Sequence, residues 1–376
     1  MPNGPRAVGI TLLSALAASQ AALVVLNPLL PDVAGDLDVS IATAGQLRTV
    51  SGLAAGAAAL ATGMLAARVG LRGLMLGALV ILATGSLASG AAPSFAVLVV
   101  AQALVGVGIG VSYSAAIAAT AEWSTAANRS RVLALTLLGP PLAWIVGMPL
   151  VGILGEVSWR LAWLVVPASM AVVAAALLFR QHATPPATVR AGLRAVLTYP
   201  GVARWTTGEL FAFSGWAGAL VYMGALLVES YDLTIAATGL ALGFGALVYV
   251  PGNFLFRRWV DGHGRLLLVA LALAAAVTVA CLGAFRPSVW VSIGLFALLC
   301  FIAGGRTLAG SARGLGLAQE LRLGVTGVRA AAIQAGYFVG AAVGGAALAI
   351  GSYRTLGLAF AALFVGAAIP HLVPLR

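Results

Sequence analysis

The chain has 376 residues, of which 61% are hydrophobic and only 8% charged, and its mean hydropathy is +1.06. A soluble domain carries roughly 25% charged residues, so this composition excludes an ordinary water-facing surface and indicates that a lipid bilayer surrounds most of the protein. The formal net charge of +11 does not indicate a nucleic-acid partner, because the basic residues lie in short gaps between apolar runs and form no stripe with interleaved aromatic residues.

Twelve apolar runs follow one another along the chain, each long enough to cross a bilayer as a helix. They cover approximately residues 7–30, 44–66, 73–92, 95–121, 132–155, 161–179, 210–228, 233–256, 266–285, 287–305, 330–351 and 355–375. The runs do not alternate apolar and polar residues, which excludes the strands of a membrane barrel. The predicted fold class is therefore an all-α integral membrane protein with twelve transmembrane helices, arranged as two pseudo-symmetric six-helix halves around a central cavity.

The placement of the arginines predicts the orientation and the domain boundary. On this count of spans, the arginines outside the cytoplasm are only Arg48, Arg160, Arg286 and Arg354, and the rest of the 21 lie on the opposite side. Because positively charged loops stay in the cytoplasm, both termini are predicted to be cytoplasmic, in a multi-pass protein of a bacterial plasma membrane. The polar stretch 181–204 is predicted to be a cytoplasmic linker between an N-terminal bundle, residues 1–180, and a C-terminal bundle, residues 205–376.

Two similar segments follow the second run of each half, about half a chain apart, as a duplicated six-helix unit would give. Their matching residues are Gly63, Arg68, Gly70 and Arg72 in the first segment and Asp261, Gly264 and Arg265 in the second. The segments resemble the signature loop of major facilitator transporters, which implies a conformational clasp: a glycine turn joins two helices, and arginines bind an acid or helix-terminal carbonyls across the domain interface. The first copy has Ala67 in place of the acid, so the second is expected to matter more. The alternative is that these arginines only anchor the topology.

The fifth run contains Gly147, Pro149 and Gly152 and resembles the fifth helix of the drug and sugar efflux branch of this superfamily. The resemblance implies a small-residue face that permits close packing and a bend. A kinked packing helix without a transport role is the alternative. In the fourth run, Gln102 stands where these transporters often have a buried arginine. Glutamine cannot hold charge, so the sequence questions proton coupling by that route.

Charged side chains inside a bilayer are costly and usually mark function. Glu209, at the start of the seventh run, is the best candidate for exchanging protons or binding a cationic substrate. The alternative is an interfacial ion pair with a cytoplasmic arginine. Arg48, near the outer end of the second run, could attract an anionic substrate, although snorkelling of its guanidinium to the outer surface is the favoured interpretation.

Polar and aromatic residues on the expected cavity helices form the predicted substrate site. They are Asn27, Gln102, Tyr113, Trp144, Trp216, Tyr222, Asn253, Gln334 and Tyr337. Aromatic walls with scattered hydrogen-bonding groups suit amphiphilic small molecules. The same side chains can also bind helices to one another, and for any single residue packing is the favoured interpretation.

The features together favour a secondary active exporter of a small amphiphilic molecule (a drug, sugar or metabolite), working by alternating access and coupled to protons. The alternative, favoured by Gln102 and Ala67, is an uncoupled facilitator or an importer of a small metabolite. The histidines are far apart and Cys281 and Cys300 lie inside apolar runs, so we expect no enzymatic activity, cofactor or metal site. The expected partners are the substrate, protons and lipid, and the expected state is a monomer.

Overall fold

A computed structural model describes residues 4–125, 127–181, 193–317 and 322–372. The described part of the chain contains fourteen α-helices and no strand. The first seven are α1 (Pro5–Val24), α2 (Leu26–Asp36), α3 (Ile41–Gly90), α4 (Phe95–Glu122), α5 (Arg129–Thr136), α6 (Gly139–Val157) and α7 (Trp159–Phe179). The other seven are α8 (Leu193–Leu197), α9 (Val202–Tyr231), α10 (Ile235–Leu255), α11 (Arg257–Ala284), α12 (Val289–Leu317), α13 (Arg322–Ile350) and α14 (Tyr353–Leu372).

Eleven helical segments within the described residues are long and apolar enough to cross a membrane. The helix α3 contributes one of them, Arg68–Gly90, near the break at Gly70, whose φ is 73°. The arm of α3 before Gly70 begins at Ile41, is not one of the eleven, and is long enough by length alone to cross a bilayer. This arrangement is consistent with twelve spans. The prediction of an all-helical membrane fold is therefore confirmed.

Prolines explain why the first and fifth predicted runs are each broken into two helices. Pro28 has no N–H to donate to the carbonyl of Val24, four residues earlier, and α1 ends at Val24. Pro140 likewise cannot bond to Thr136, where α5 ends. The chain continues in nearly the same direction after each break, so each pair of helices forms one kinked span.

The polar stretch 306–329 between the tenth and eleventh apolar runs was predicted to be a loop, with a short amphipathic segment as the alternative. Its described residues, 306–317 and 322–329, are helical. The helix α12 runs to Leu317 and α13 begins at Arg322, so both helices extend beyond the apolar runs that predicted them. The prediction was wrong because charged residues end an apolar run without ending a helix. Arg306 and Arg329 consequently lie on helices and not in a loop.

Each spanning helix reverses the direction of the one before it, which defines two ends of the molecule. The terminal side carries the start of α1, the Gly70 turn and the end of α14. The distal side carries the loops α2–α3 and α9–α10. Arg160 ties the distal ends of three helices together, because its guanidinium bonds to Asp36 at the end of α2 and to the carbonyl of Ala92 after α3.

Two seams of small residues join the halves. In the first, α3 packs on α13, where Gly52 lies against the backbone of Phe338. In the second, α6 packs on α10, where the predicted fifth-helix residues Pro149 and Gly152 lie against Gly243 and Gly239. Small residues allow helix backbones to approach closely.

The distal side has further contacts between the halves. Gly224 of α9 packs on the carbonyl of Asn27, and a carboxylate oxygen of Glu156 accepts a hydrogen bond of 2.7 Å from the N–H of Ala236 at the start of α10. Gly147, the remaining fifth-helix residue, has open space beside it. The described contacts thus bring the halves together most closely toward the distal side.

Candidate functional site

Three aromatic rings from both halves meet at the centre of the molecule. Trp144 of α6 lies with its ring centroid 6.5 Å from that of Trp216 on α9 and 5.7 Å from that of Tyr249 on α10. Trp216 and Tyr249 stack at 6.1 Å. The indole N–H of Trp144 is buried without a hydrogen-bond partner. Two predicted cavity residues, Trp144 and Trp216, are therefore in contact, and Tyr249 completes the wall.

Two more tyrosines lie near this aromatic wall. Tyr113 of α4 and Tyr249 are both near the hydroxyl of Tyr337 on α13. Arg48 of α3 is near it as well, and Gly52, one turn along α3, packs on the backbone of Tyr337. We call these residues the central cluster, and its members are Arg48, Tyr113, Trp144, Trp216, Tyr249 and Tyr337. The cluster takes one residue from each of six helices, three in each half.

Arg48 is enclosed by the α3–α13 seam. Gly45, Arg48 and Gly52 are three and seven residues apart and so share one face of α3. Gly45 lies against the Tyr222 hydroxyl, and Gly52 lies against α13, so the arginine between them is covered and is only 1% exposed. The prediction that Arg48 snorkels to the surface was therefore wrong.

The guanidinium of Arg48 has little to bind within the protein. Its Nη1 donates a long hydrogen bond of 3.4 Å to the Ser51 hydroxyl, while Nε and Nη2 have no partner. Among the described residues, no carboxylate forms an ion pair with Arg48. A buried guanidinium without a counter-charge is costly, which makes this side chain the outstanding electrostatic feature of the site.

Glu209 of α9, the predicted proton carrier, is fully buried between two arginines. One carboxylate oxygen accepts a hydrogen bond of 2.9 Å from Arg306 of α12, and the other accepts one of 2.8 Å from Arg329 of α13. Arg306 also donates to the carbonyl of Gly208, and Arg329 to the carbonyl of Thr307. This geometry matches the ion-pair alternative. We call Glu209, Arg306 and Arg329 the triad.

The buried charges in the described interior are predominantly positive. Arg48 and Arg306 are buried and the side chain of Arg329 is 17% exposed, against the single buried carboxylate of Glu209. Three guanidiniums and one carboxylate leave a formal charge of +2.

Sequence reasoning missed Arg306 and Arg329 because it placed them in a loop. The available signal was their position in the sequence. Arg306 directly follows one apolar run and Arg329 directly precedes the next, so each lies within one helical turn of a predicted span.

Several predicted cavity residues lie outside the central cluster. Gln102 faces the packing between α4 and α3, where its amide donates to the Ser89 hydroxyl at 2.9 Å, so its assignment to the cavity is corrected. Tyr222 is corrected similarly, because its hydroxyl donates to the carbonyl of Ala341 at 2.9 Å and its ring packs on Phe360.

The remaining three predicted cavity residues have amide side chains. Asn253 lies one turn from Tyr249 on α10 and donates to its carbonyl at 3.5 Å. Gln334 lies one turn from Tyr337 on α13 and its side-chain oxygen is buried without a partner. Asn27, at the kink of the first span, is 1% exposed and neither of its amide atoms has a partner.

The first clasp segment is a glycine turn with an arginine bound to helix-terminal carbonyls. Gly70 adopts the left-handed conformation that favours glycine. Arg72 donates from Nε to the carbonyl of Leu178 at 3.3 Å and from Nη2 to that of Phe179 at 2.6 Å, at the end of α7. These contacts lie within the N-terminal half, so the expectation of a contact across the halves was wrong for Arg72. Arg68 is exposed.

The second clasp segment also bends its helix. The helix α11 is distorted at His263, where φ is −130°, and the neighbouring Gly264 and Arg265 line an open groove between α11 and α12. The surroundings of Gly63 and the side chain of Asp261 lie outside the described residues. The clasp role of the second segment stays a prediction.

Comparisons with known proteins give the family. The family model of the Major Facilitator Superfamily matches residues 12–312. "Transcription regulatory protein OpdE" of Pseudomonas aeruginosa is 29% identical over 287 residues, which cover 72% of this chain and 70% of that protein.

Two solved transporters have the same fold. The crystal structure of a D-xylose-proton symporter matches with a TM-score of 0.79 and 15% identity over 98% of both chains. The nucleoside transporter NupG matches with a TM-score of 0.79 and 12% identity over 97% of this chain and 99% of that one. Family and neighbours indicate a non-enzymatic transporter. Because the family model spans most of the sequence, the chain belongs to the Major Facilitator Superfamily.

Proposed function

We propose that the protein exports a small amphiphilic molecule by alternating access, as a member of the drug and sugar efflux branch. The observation that carries this proposal is the central cluster. It joins aromatic residues of both halves, with Trp144 from one half against Trp216 and Tyr249 from the other. A molecule bound there would contact both halves at once, so its binding energy can favour one arrangement of the halves over another.

The seams between the halves support the proposed motion. At contacts such as Gly152 on Gly239 and Gly224 on Asn27, the halves meet through small residues and backbone atoms. No ion pair joins the halves among the described residues, so their separation breaks no salt bridge there. We propose that they part when the distal side opens, and that arginine placement makes the terminal side cytoplasmic.

The triad favours transport that is not coupled to protons through Glu209. A carboxylate held by two guanidiniums is stabilised in its charged form and resists taking up a proton. Gln102 bonds to Ser89 and cannot hold charge. We therefore propose that Glu209 has a structural role. The uncoupled facilitator is the second candidate function, and this geometry is the observation that favours it.

The test uses the purified protein in liposomes that contain a pH-sensitive dye, with uptake of radiolabelled 4-phenylbutyrate, 4-phenylbutanamide and 4-phenylbutylamine as three small amphiphiles. We expect flux of at least one probe, and its loss in Trp144→Ala. Trp290→Ala is the matched control, because Trp290 is 78% exposed and lies away from the cluster. Equal flux in both variants would contradict the assignment of the site.

The same vesicles test coupling and direction. Probe flux without dye response supports uncoupled transport, and a probe-dependent proton flux contradicts it. Inserting the protein in a known orientation, verified by protease cleavage of a terminal tag, tests whether flux proceeds from the terminal to the distal side. Light scattering after size-exclusion chromatography tests the proposed monomer.

A further inference from the structure

We propose that the transported molecule is an organic anion and that Arg48 binds its carboxylate-like group. This inference deepens the proposed function and rests on it. It assigns the substrate class, which neither the family nor the fold determines. The chemistry of recognition would be a charge-assisted pair in which the planar guanidinium donates hydrogen bonds to anionic oxygens.

The first step is that Arg48 is buried but its donors are unused. The residue is 1% exposed, and both Nε and Nη2 lack a hydrogen-bond partner. The Nε and one terminal nitrogen of a guanidinium form the fork that binds two carboxylate oxygens at once. The unused atoms of Arg48 are therefore a pair suited to bidentate binding of an anion.

The second step is that the protein provides no counter-charge. Glu209 is the only fully buried carboxylate in the described part of the chain, and Arg306 and Arg329 already occupy both of its oxygens. Three of the acids at the distal ends have other partners: Asp36 pairs with Arg160, Glu156 accepts from the N–H of Ala236, and Glu229 accepts from the Tyr353 hydroxyl. An anion from outside the protein would supply the missing charge.

The third step is the position of Arg48 in the site. Tyr337 packs through its backbone on Gly52, one turn from Arg48, and Arg48 and Tyr249 are both near its hydroxyl. Tyr249 in turn contacts Trp144 and Trp216. A molecule with its anionic group at Arg48 would therefore lay its apolar body along the aromatic wall. This arrangement suits an amphiphilic anion and disfavours a cation, because the interior already carries excess positive charge.

The fourth step separates Arg48 from a purely structural arginine. Structural arginines in this molecule bind backbone carbonyls or acids, as Arg72 binds the end of α7 and Arg306 binds Glu209. Arg48 has only the long bond to Ser51, one turn along its own helix. Arg48 therefore does not join two helices by a hydrogen bond. We attribute its position inside the seam to the binding of a ligand.

The experiment measures binding of three probes with one skeleton and different charge to detergent-purified full-length protein: 4-phenylbutyrate, 4-phenylbutanamide and 4-phenylbutylamine. Affinity is read by isothermal titration calorimetry. We expect the wild type to prefer the acid. In Arg48→Gln, affinity for the acid should fall about 10- to 100-fold, the value of one charge-assisted interaction, while affinity for the amide changes little. Arg48→Lys should retain part of the preference, because it keeps the charge but loses the fork.

The control is Arg354→Gln, which removes the same charge from an exposed position on the distal side. It should leave the preference for the acid unchanged. Size-exclusion profiles and thermal unfolding confirm that each variant is folded, and if Arg48→Gln fails to fold, Arg48→Lys and the comparison of acid with amide on the wild type provide the test.

Two outcomes overturn the inference. One is equal affinity of the wild type for the acid and the amide, or no acid binding up to its solubility limit. The other is a loss of acid affinity in Arg354→Gln as large as in Arg48→Gln. Failure of the proposed function is distinguishable, because it appears as unimpaired flux in Trp144→Ala. In the flux assay, acid flux that requires Trp144 but is unchanged in Arg48→Gln would uphold transport and reject the binding of the anion by Arg48.

Discussion

This protein has two sites of buried arginine, and they differ in whether a neighbouring carboxylate neutralises the positive charge. In the triad, Arg306 and Arg329 share the carboxylate of Glu209, and each also binds a backbone carbonyl. At the α3–α13 seam, Arg48 is buried as deeply but has only the long hydrogen bond to Ser51. The triad is complete within one half of the protein, whereas Arg48 is incomplete and lies between the halves.

The difference shows how to separate structural from functional charge inside a membrane protein. A buried ion that an opposite charge neutralises stabilises the packing of the helices that carry the pair once the fold exists. A buried ion without a counter-charge costs stability, and binding of an oppositely charged ligand would offset that cost. Both sites have an unpaired Nε, at Arg306 and at Arg48, so the counter-charge is what distinguishes them.

The largest expected effect is that of Glu209→Gln. The change removes the only carboxylate that neutralises two buried guanidiniums, and breaking a buried ion pair in this way costs about 3–5 kcal/mol of unfolding free energy. We expect a strong decrease in the apparent midpoint of thermal unfolding in a fixed detergent and in the yield of monodisperse protein.

The matched control for this prediction is Glu229→Gln on the same helix. Glu229 is exposed near the distal end and accepts a hydrogen bond from the Tyr353 hydroxyl at 2.5 Å. Its change should lower the midpoint much less. If both variants unfold at the same temperature as the wild type, the triad is not a structural element and Glu209 becomes available again as a proton carrier.

The second effect comes from Gly310→Ala on α12. A methyl group at Gly310 would stand 2.8 Å from the carboxyl carbon of Glu209 and closer still to one oxygen, so the carboxylate must move away from its arginines. Such overpacking costs about 1–3 kcal/mol. The control is Gly294→Ala on the same helix, which has open space and should be neutral or slightly stabilising. Thermal unfolding of both variants decides whether tight packing at Gly310 positions Glu209.

The sequence predicted the helical elements well because membrane spans are determined locally. An apolar run long enough to cross the bilayer must be helical, since lipid offers no hydrogen bonds to the backbone. The breaks at Pro28 and Pro140 are also local, because each proline removes one identifiable hydrogen bond. Each of these runs was predicted as one continuous helix and was not divided at its proline.

The sequence could not predict either arginine site because both depend on other helices. Arg306 and Arg329 lie where the apolar runs end, and the pairing of both with the distant Glu209 could not be predicted from either run. Arg48 was assigned to the surface because nothing near it in sequence shows that Gly52 brings α13 over it. The aromatic candidates Trp144 and Trp216 were identified from composition, but their contact across the halves was not.

The third prediction concerns Arg48→Met, which should act in the opposite direction to Glu209→Gln. Methionine fills a similar volume with a flexible apolar chain and removes a buried charge that has no partner. We expect unfolding free energy to rise by about 1 kcal/mol or more in the absence of ligand. A higher unfolding midpoint together with lost binding of 4-phenylbutyrate would show that Arg48 lowers the stability of the ligand-free protein and is needed to bind the anion. A clear decrease in the midpoint would instead mean that Arg48 supports the fold.

The smallest effect is expected from Asp36→Asn, which tests whether exposure is what separates the sites. Asp36 pairs with Arg160 at the distal surface, and the two side chains are 47% and 33% exposed. Surface pairs contribute about 0–1 kcal/mol because water and salt screen them. Asparagine can still accept the hydrogen bond from Trp159, so the midpoint should shift only slightly and less at high salt. Arg160 retains its bond to the carbonyl of Ala92 after the change, just as Arg306 and Arg329 retain their bonds to backbone carbonyls after Glu209→Gln. The two changes therefore differ mainly in burial, and a loss as large as that of Glu209→Gln would mean that burial does not set the cost of removing a carboxylate.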